Sequence, residues 1–321
     1  MKKIIAIFFS VIGAYTCAYA QQYPFWTQYK SNQFMLNPAV AGTRKTLDVR
    51  LNYRNQWTGF EGAPKTMGLS MHGRFYKGKM GAGAYVYRDQ LGPAMYTTLA
   101  AAYSFHIKFS DTELSFGANA NYNILSIDAS RTTFHNSQDQ AILNTIAYSK
   151  TKIPNAAMGL LYFNDRFHIG FAMNNMLGTS YEFPKVSDGT KKAHIKTVPH
   201  YNMTIGYNWS NTPDLVFENM IFANYVNGTP ILLDYSLRMH IRQGLFVGAG
   251  IRLKNSISAQ LGYTLDETFQ VSYSYDYSTN ALRAYNSGTH EIKLVYVYDK
   301  DKHLRHGQND SFQHKHFKWL L

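Results

Sequence analysis

Histidine, serine and acidic residues occur throughout the 321-residue chain, but they do not fall into a catalytic pattern. The sequence contains neither a G-x-S-x-G nucleophile elbow nor an H-E-x-x-H zinc motif. His290 and Glu291 are adjacent, and adjacent side chains in a strand point to opposite faces, so the two cannot act together on one substrate. The sequence therefore predicts no catalytic residues and no enzyme activity.

The C-terminal tail, residues 300–321, carries the clearest candidate metal ligands. Short His-rich tracts can bind transition metals, but no cysteine or carboxylate frame fixes a geometry here, which favours a solvated basic tail. Neither a metal nor another cofactor is predicted. Docking of the final residues, Trp319-Leu320-Leu321, onto a periplasmic partner is an alternative role for this segment. The histidines concerned are His303, His306, His314 and His316.

The elements that must position such side chains are strands. In Phe269–Tyr277, Phe, Val and Tyr residues alternate with Gln, Ser and Asp. Large apolar side chains on one face and small polar ones on the other, at a period of two, indicate a strand between two different environments. The chain is also rich in aromatic residues, with 25 Tyr and 20 Phe, as expected of a protein that meets a membrane interface.

The same alternation recurs along the chain and predicts fourteen strands of a length that suits a tilted crossing of a bilayer. Connections after even-numbered strands are short, whereas those after odd-numbered strands include three long ones, 127–153, 177–198 and 279–287. Short turns at one end and long loops at the other are typical of outer-membrane barrels, with both termini on the periplasmic side. The strands lie near residues 47–57, 65–75, 80–89, 96–109, 112–126, 154–164, 166–176, 199–210, 215–226, 230–242, 244–254, 256–266, 268–278 and 288–299.

A soluble β-sandwich is the alternative fold, but it would carry charged residues on its outer faces. The polar faces here hold mostly Ser, Asn, Gln, Gly and Thr, with few Lys and Arg, which suits a lumen. Only a closed barrel leaves no unpaired strand edge in lipid. Asp234 and Arg238 share one polar face, and Arg252 and Lys254 share another, and we expect charge pairing in the lumen there. The predicted fold is an all-β transmembrane antiparallel β-barrel of about 14 strands.

The first twenty residues have the parts of an export signal: a basic start at Lys2 and Lys3, an apolar stretch, and an A-x-A site. We expect cleavage after Ala20 and transfer to the outer membrane. Cleavage also removes Cys17, the only cysteine, so no thiol chemistry is expected in the mature chain. The formal net charge of +12 is spread along the chain, which favours anionic lipid or acidic partners and not nucleic acid.

Four segments follow from this reading: a signal peptide (1–20), a periplasmic N-terminal arm (21–46), an outer-membrane β-barrel (47–299), and the basic His-rich periplasmic tail (300–321). The arm mixes prolines with polar and aromatic residues, which predicts irregular structure with a turn starting at Asn37-Pro38.

One stretch, R-N-Q-W-T-G-F-E-G-A-P-K-T (54–66), stands out between the first two predicted strands. Its Gly and Pro residues predict a turn that leads directly into the next strand. The simpler interpretation is a well-specified hairpin. The functional interpretation is a loop that plugs the lumen or meets a partner at the cell surface.

Three blocks, N-P-A-V-A-G (37–42), the stretch around 53–66, and Y-D-Y-S-T-N-x-L-R-x-Y-N-x-G-T-H-E-I (275–292), resemble the PorP/SprF family of Bacteroidetes outer-membrane proteins. The resemblance spans about residues 22–299, and the tail departs from it. It implies no catalytic residues and leaves the role of each motif position open. These positions are Asn37, Pro38, Arg54, Asn55, Gln56, Trp57, Gly62, Ala63, Pro64, Gly288, His290 and Glu291.

The resemblance implies an accessory protein of the type IX secretion and gliding motility machinery. Such a protein would sit in outer-membrane lipid and help export or anchor a large surface protein such as an adhesin. It could instead link type IX secretion subunits to the periplasm through a peptidoglycan-associated protein. On this interpretation the loops 127–153 and 177–198 contact partners at the cell surface, while the arm and tail contact periplasmic ones. A passive or selective outer-membrane porin is the alternative function.

Overall fold

The structure, a computed structural model, describes residues 24–75, 78–128, 149–182, 194–212, 214–241, 244–265 and 268–299. Within these residues fourteen antiparallel strands close into one barrel, with the first strand hydrogen-bonded to the last. Two further strands form a separate small sheet. The fold predicted from the alternating pattern is confirmed, including the number of strands in the barrel.

The strands of the barrel follow each other in chain order around its circumference. They are β1 (Leu47–Asn55), β2 (Lys65–Phe75), β3 (Met80–Leu91), β4 (Ala94–Lys108), β5 (Glu113–Ile127), β6 (Ser149–Phe163), β7 (Phe167–Asn174), β10 (His200–Thr212), β11 (Leu215–Val226), β12 (Leu232–Ile241), β13 (Leu245–Arg252), β14 (Ser256–Leu265), β15 (Phe269–Ser278) and β16 (Thr289–Tyr298). The separate sheet consists of β8 (Ser180–Glu182) and β9 (His194–Lys196).

Two details differ from the predicted strands. The sixth strand begins at Ser149 rather than 154, because its first residues pair with the far end of β5. The connection predicted as a loop at 177–198 contains the β8–β9 hairpin, where Tyr181 is buried against Leu125 and Ile153. Burial raises the pKa of the Tyr181 phenol, since the charged form would lose its hydration.

The barrel is apolar outside and polar inside, the reverse of a soluble protein. On β15, Phe269, Val271 and Tyr273 are exposed, whereas Gln270 and Ser272 are buried in the lumen. Lipid is the environment in which an exposed apolar face and a fully paired backbone are both favourable. Among the described residues, no helix is both long and apolar enough to cross a membrane.

The two ends of the barrel differ in the length of their connections. At the short-turn end, defined by the turns after β2, β4, β6, β10, β12 and β14, the connections have two to four residues, as their flanking strand bounds show. The long-loop end carries the connections 56–64, 128–148, 175–199 and 279–288. β1 starts and β16 stops at the short-turn end, as predicted. In outer-membrane barrels the short turns face the periplasm.

Substitution of Leu261 by Arg tests the assignment of the outer face to lipid. Leu261 lies in the middle of β14 and is 52% exposed, so the charge would enter the hydrocarbon core and should cost about 2–4 kcal/mol of unfolding free energy. Leu265→Arg, at the end of the same strand, is the matched control, with a cost of about 0–1 kcal/mol expected at the interface. The measurement is guanidinium unfolding of the protein in lipid vesicles; equal costs would contradict the assignment.

Candidate functional site

The N-terminal arm runs through the inside of the barrel and forms the candidate site. Gly42 lies at the short-turn end, beside Gly81 near the start of β3. Phe25 lies at the long-loop end, where its ring packs 5.1 Å from that of Phe222 and borders a cavity shared with Leu232, the first residue of β12. Almost every arm residue between these points is buried. The arm therefore spans most of the length of the lumen.

The periplasmic position expected for the arm is wrong for its described residues, 24–46. Of these, the residues up to Gly42 lie within the barrel, and the following four lead to β1 at the short-turn end. The physical reason is that the polar residues of the arm find partners on the lumen wall. The expectation rested on the strand count, which fixes where β1 starts and carries no information about where the preceding residues go.

Asn37 and the short 3-10 helix Pro38–Val40 seat the middle of the arm on the wall. The Asn37 Oδ1 atom accepts a hydrogen bond of 2.9 Å from the backbone N–H of Ala39, which caps the helix, and Pro38 occupies its first position. The Asn37 Nδ2 group donates to the backbone carbonyls of Leu160 (3.0 Å) and Phe171 (3.3 Å). One amide side chain thus both folds the arm and binds two wall strands.

Glycines on the lumen faces of β3, β5 and β6 leave room for this segment. A Cβ atom on Gly117 would overlap the main chain of Pro38 and Ala39. In the same way, Gly81 and Gly159 face other residues of the 37–42 segment so closely that a side chain would displace it. The arm rests here on bare backbone, so these glycines are required by close approach and not by a turn.

A buried charge cluster holds the outer part of the arm. Arg54, which is 2% exposed, donates from Nη2 to Asp276 (2.9 Å) and from Nη1 to Glu291 (3.1 Å). Glu291 also accepts hydrogen bonds from the backbone N–H groups of Thr27 (2.7 Å) and Gln28 (3.1 Å). Removing one member of such a buried set leaves an unpaired charge, at a cost of about 3–5 kcal/mol. The cluster therefore fixes the arm to β1, β15 and β16 together.

Two further polar pairs join the arm to β11 and β12. The ammonium of Lys30 lies 3.7 Å from the Glu218 carboxylate, and both side chains are buried. The Tyr29 hydroxyl donates to Asp234 (2.9 Å), which is paired with Arg252 (3.1 Å). The expected pairing of lumen charges is confirmed for Asp234 and Arg252.

Arg238 and Lys254, the other charged residues of these two polar faces, have different surroundings. Arg238 donates to Gln260 (2.8 Å) and to the Ser31 hydroxyl of the arm, and not to Asp234. Lys254 is exposed in the turn between β13 and β14, where its φ is +63°. It faces solvent because the strand ends at Arg252.

Backbone carbonyls of the arm also accept hydrogen bonds from buried cations on the wall. Arg50 donates to the carbonyl of Ser31 (2.6 Å), and Lys293 donates to that of Gln28 (2.6 Å). Hydrogen bonds to charged groups are stronger than neutral ones, and these need only the main chain of the arm. The arm therefore satisfies part of the lumen charge whatever its side chains are.

A cluster of three polar side chains, Arg74, His106 and Glu113, holds the arm where it leaves the barrel at the short-turn end. Arg74 donates to the carbonyl of Gly42 and forms an ion pair of 2.6 Å with Glu113. One nitrogen of His106 lies 2.9 Å from the carbonyl of Ala41, and the other lies 3.6 Å from Glu113. Three side chains and two backbone carbonyls thus meet at one point of the chain.

The other motif positions lie at the rim of the long-loop end. Asn55 is the register partner of His290 on the seam between β1 and β16. The N–H of Gln56 donates to the carbonyl of Pro64 (2.9 Å), which closes the loop between β1 and β2. Trp57, with a φ of +49°, donates from its N–H to Thr289. These contacts support the hairpin interpretation.

Gly62, Ala63 and Gly288 complete the rim. Gly62 and Gly288 have positive φ values, of 72° and 98°, which only glycine adopts readily. The Gly62 carbonyl accepts a hydrogen bond from Gly92 (2.9 Å), and Ala63 donates to Phe60 (3.2 Å). Residues 59–62 are exposed. The 54–66 loop therefore does not fill the lumen, whereas its first residue, Arg54, reaches the arm.

His290 and Glu291 point to opposite faces, as predicted. The His290 ring lies outside, 5.2 Å from the ring of Tyr275, while Glu291 is fully buried in the lumen. Among the described residues, no group of three or more His, Cys, Asp or Glu side chains could hold a metal ion. The tail histidines lie outside the described residues.

Residues 18–296 match a family model described as type IX secretion system membrane protein PorP/SprF. The chain belongs to this family. The closed fourteen-stranded barrel agrees with this family, because such a barrel is the fold of an outer-membrane protein. Two of the resemblance blocks meet inside the barrel of this PorP/SprF protein, because Arg54 and Glu291 bind each other. No curated protein matches the sequence.

Solved structures similar to this PorP/SprF protein are outer-membrane barrels of low sequence identity. The monoaromatic hydrocarbon channel CymD is 11% identical, with a TM-score of 0.49 over 84% of this chain and 92% of its own. A Pseudomonas aeruginosa FadL homologue is 10% identical, with a TM-score of 0.45 over 82% and 92%. The translocator domain of the autotransporter NalP from Neisseria meningitidis is 10% identical, with a TM-score of 0.39 over 92% and 98%.

Substitution of Gly117 by Ala tests whether the arm is seated on bare backbone. The added methyl group would overlap the arm at Ala39, so we expect the arm to become accessible to protease and the protein to lose about 1–3 kcal/mol of stability, as in overpacked cores. Gly73→Ala is the control, because its Cβ would make only ordinary contacts, at 3.4 Å or more. Limited proteolysis and thermal unfolding measure both effects; indistinguishable variants would contradict the seating.

The direction of the arm predicts which side of the membrane its first described residue faces. In a Cys17→Ser background, Pro24→Cys should react with a membrane-impermeant maleimide on intact cells, because Pro24 lies at the long-loop end. Lys45→Cys, exposed at the short-turn end, should react only after the outer membrane is permeabilised. The reverse pattern would show that the arm or the barrel is oriented the other way.

Proposed function

We propose that this protein is a non-enzymatic outer-membrane accessory of the type IX secretion and gliding machinery. It binds a large secreted surface protein, of the adhesin class, and helps to export or anchor it, or it links the machinery to the periplasm. The observation that carries the proposal is the buried arm, which is fastened along the lumen by the Arg54, Lys30 and Asp234 contacts. A filled barrel suits an anchor better than a conduit.

The space left in the lumen supports a closed barrel. A porin needs a continuous water path between its two ends. One cavity between the arm and the wall, beside Phe25, has a volume of about 20 Å³, and one between the wall and the β8–β9 hairpin, beside Tyr181, has a volume of about 30 Å³. Each has room for about one or two water molecules. Opening a path would require the buried charge cluster to separate, which the energetics of buried pairs disfavour.

The long-loop end supplies a contact surface. Large apolar side chains beyond the strand ends are exposed there, in four separate connections, although lipid does not surround loops that project from a barrel. Exposed apolar groups of this kind mark protein contact sites when they lie together. They are Phe60 (47% exposed), Leu177 (56%), Ile231 (60%) and Tyr285 (69%). This rim is where we propose that the surface protein binds.

The periplasmic contact is assigned to the tail rather than to the arm. Because residues 26–42 of the arm are enclosed by the barrel, they offer no surface to a periplasmic protein, and the residues that follow, 43–46, form a short link to β1. Residues 300–321, with their histidines and the Trp319-Leu320-Leu321 end, are the segment we propose for a secretion subunit or a peptidoglycan-associated protein.

Two measurements on the full-length protein test the proposal. In planar bilayers the native protein should be closed, whereas a variant lacking residues 24–42 should conduct ions. A mild-detergent pull-down from native outer membrane, with crosslinking and mass spectrometry, should recover a large surface protein or type IX subunits. Steady conductance by the native protein together with recovery of the barrel alone would favour the porin. Closed channels with no recovered partner would also contradict the accessory role.

A further inference from the structure

Two buried cations on the lumen wall have no carboxylate partner among the described residues. Arg238 is 2% exposed and Lys293 is fully buried. The hydrogen-bond partners of Arg238 are Gln260 and Ser31, and that of Lys293 is the carbonyl of Gln28. A buried charge without a counter-charge is strongly unfavourable.

The buried carboxylates of the lumen are already engaged elsewhere. Asp48 pairs with Arg44 and Arg50, and Glu218 pairs with Lys30 and His240. As described above, the other three, Asp234, Asp276 and Glu291, pair with Arg252 and Arg54. The charge of Arg238 is therefore not matched by any of them at ion-pair distance.

The guanidinium of Arg238 is one of several buried groups on β12 to β15 that include a donor without a hydrogen-bond partner. Its Nη2 group has no hydrogen-bond partner, and neither has the Nε2 group of Gln260, whose Oε1 accepts from the neighbouring Nε of the same guanidinium. The hydroxyls of Ser236 and Ser274 are also buried and unpartnered. All four side chains are at least nine-tenths buried. Native proteins rarely leave such groups unsatisfied.

Strand register places these four side chains on the lumen face within one stretch of four strands, β12 to β15. Arg238, Gly248, Gln260 and Ser274 are successive register partners across β12, β13, β14 and β15. Ser236 lies on the same face, two residues before Arg238. Gly248 has no side chain, so Arg238 crosses it to reach Gln260, and the guanidinium also lies 5.1 Å from the Phe246 ring.

We propose that this row of donors binds a small monovalent anion of the chloride class. An anion accepts several hydrogen bonds at once and neutralises the guanidinium, whereas a water molecule accepts only two and leaves the charge unmatched. One unpartnered acceptor lies on the same wall, Oδ1 of Asp276, but the other oxygen of that carboxylate binds Arg54. The site therefore lies on the Arg238–Gln260 side.

The anion would also fasten the arm. Nη1 of Arg238 donates to the hydroxyl of Ser31, so the guanidinium joins the arm on one edge and the anion on the other. Loss of the anion would leave a buried cation at the contact between arm and wall. Chloride is thus expected to stabilise the plugged barrel, beyond any role in secretion.

Bromide replaces chloride and can be located by anomalous diffraction. Crystals of the native protein grown in bromide should show a peak within hydrogen-bond distance of Arg238 Nη2 and Gln260 Nε2. Bromide peaks at exposed positions only, or an ordered water at this position, would overturn the proposal. This measurement needs no variant, so it does not depend on the folding of a mutant.

Thermal unfolding gives an independent test in solution. At constant ionic strength, the native protein should melt a few degrees higher in sodium chloride than in sodium gluconate, because an ion that binds only the folded state stabilises it. Arg238→Met should abolish this difference. Arg252→Met is the control, since Arg252 pairs with Asp234, and it should retain the difference. Equal melting temperatures of the native protein in the two salts would contradict an anion site.

Discussion

The need to pair buried charge governs the structure of this barrel. Lipid outside and a lumen inside leave no bulk water to solvate Arg54, Lys30 or Glu291, so each must find a partner within the protein. The arm supplies those partners, partly through side chains and partly through its own carbonyl and N–H groups. The wall in turn supplies partners for the arm, whose regular secondary structure consists of two short 3-10 helices, Tyr29–Met35 and Pro38–Val40. Without the arm the buried polar groups of the wall would lack partners, and without the wall those of the arm would lack them.

The strands around the barrel contact the arm in two different ways. Wall strands β3, β5 and β6 contribute glycines, and the arm approaches them closely without charges. Strands β1, β2, β11, β12, β15 and β16 contribute ions, and the arm is bound to them by hydrogen bonds. The arm is therefore positioned by close packing on one side of the lumen and by hydrogen bonds to charged groups on the other. An arm held in both ways has one position.

The barrel could be predicted from the sequence because its signal is local. A period of two can be recognised within a single strand, and the lengths of the connections identify its two ends. The position of the arm depends on contacts such as Thr27 with Glu291, which lie 264 residues apart and leave no periodic trace. Two signals were nonetheless present. Glycines such as Gly117 recur on polar faces, and the few basic residues on those faces, such as Arg54, are the ones that bind the arm.

The charge cluster lies on the seam where the first and last strands meet. Arg54 on β1 and Glu291 on β16 are register partners across that seam, and Thr27 binds the carboxylate from inside. A slip of two residues would preserve the alternation of faces and most backbone hydrogen bonds, so hydrophobicity alone could not reject it. It would, however, separate Arg54 from Glu291 and leave both buried charges without this ion pair. The arm and its ion cluster thus favour the register of β1 against β16 in which the barrel closes.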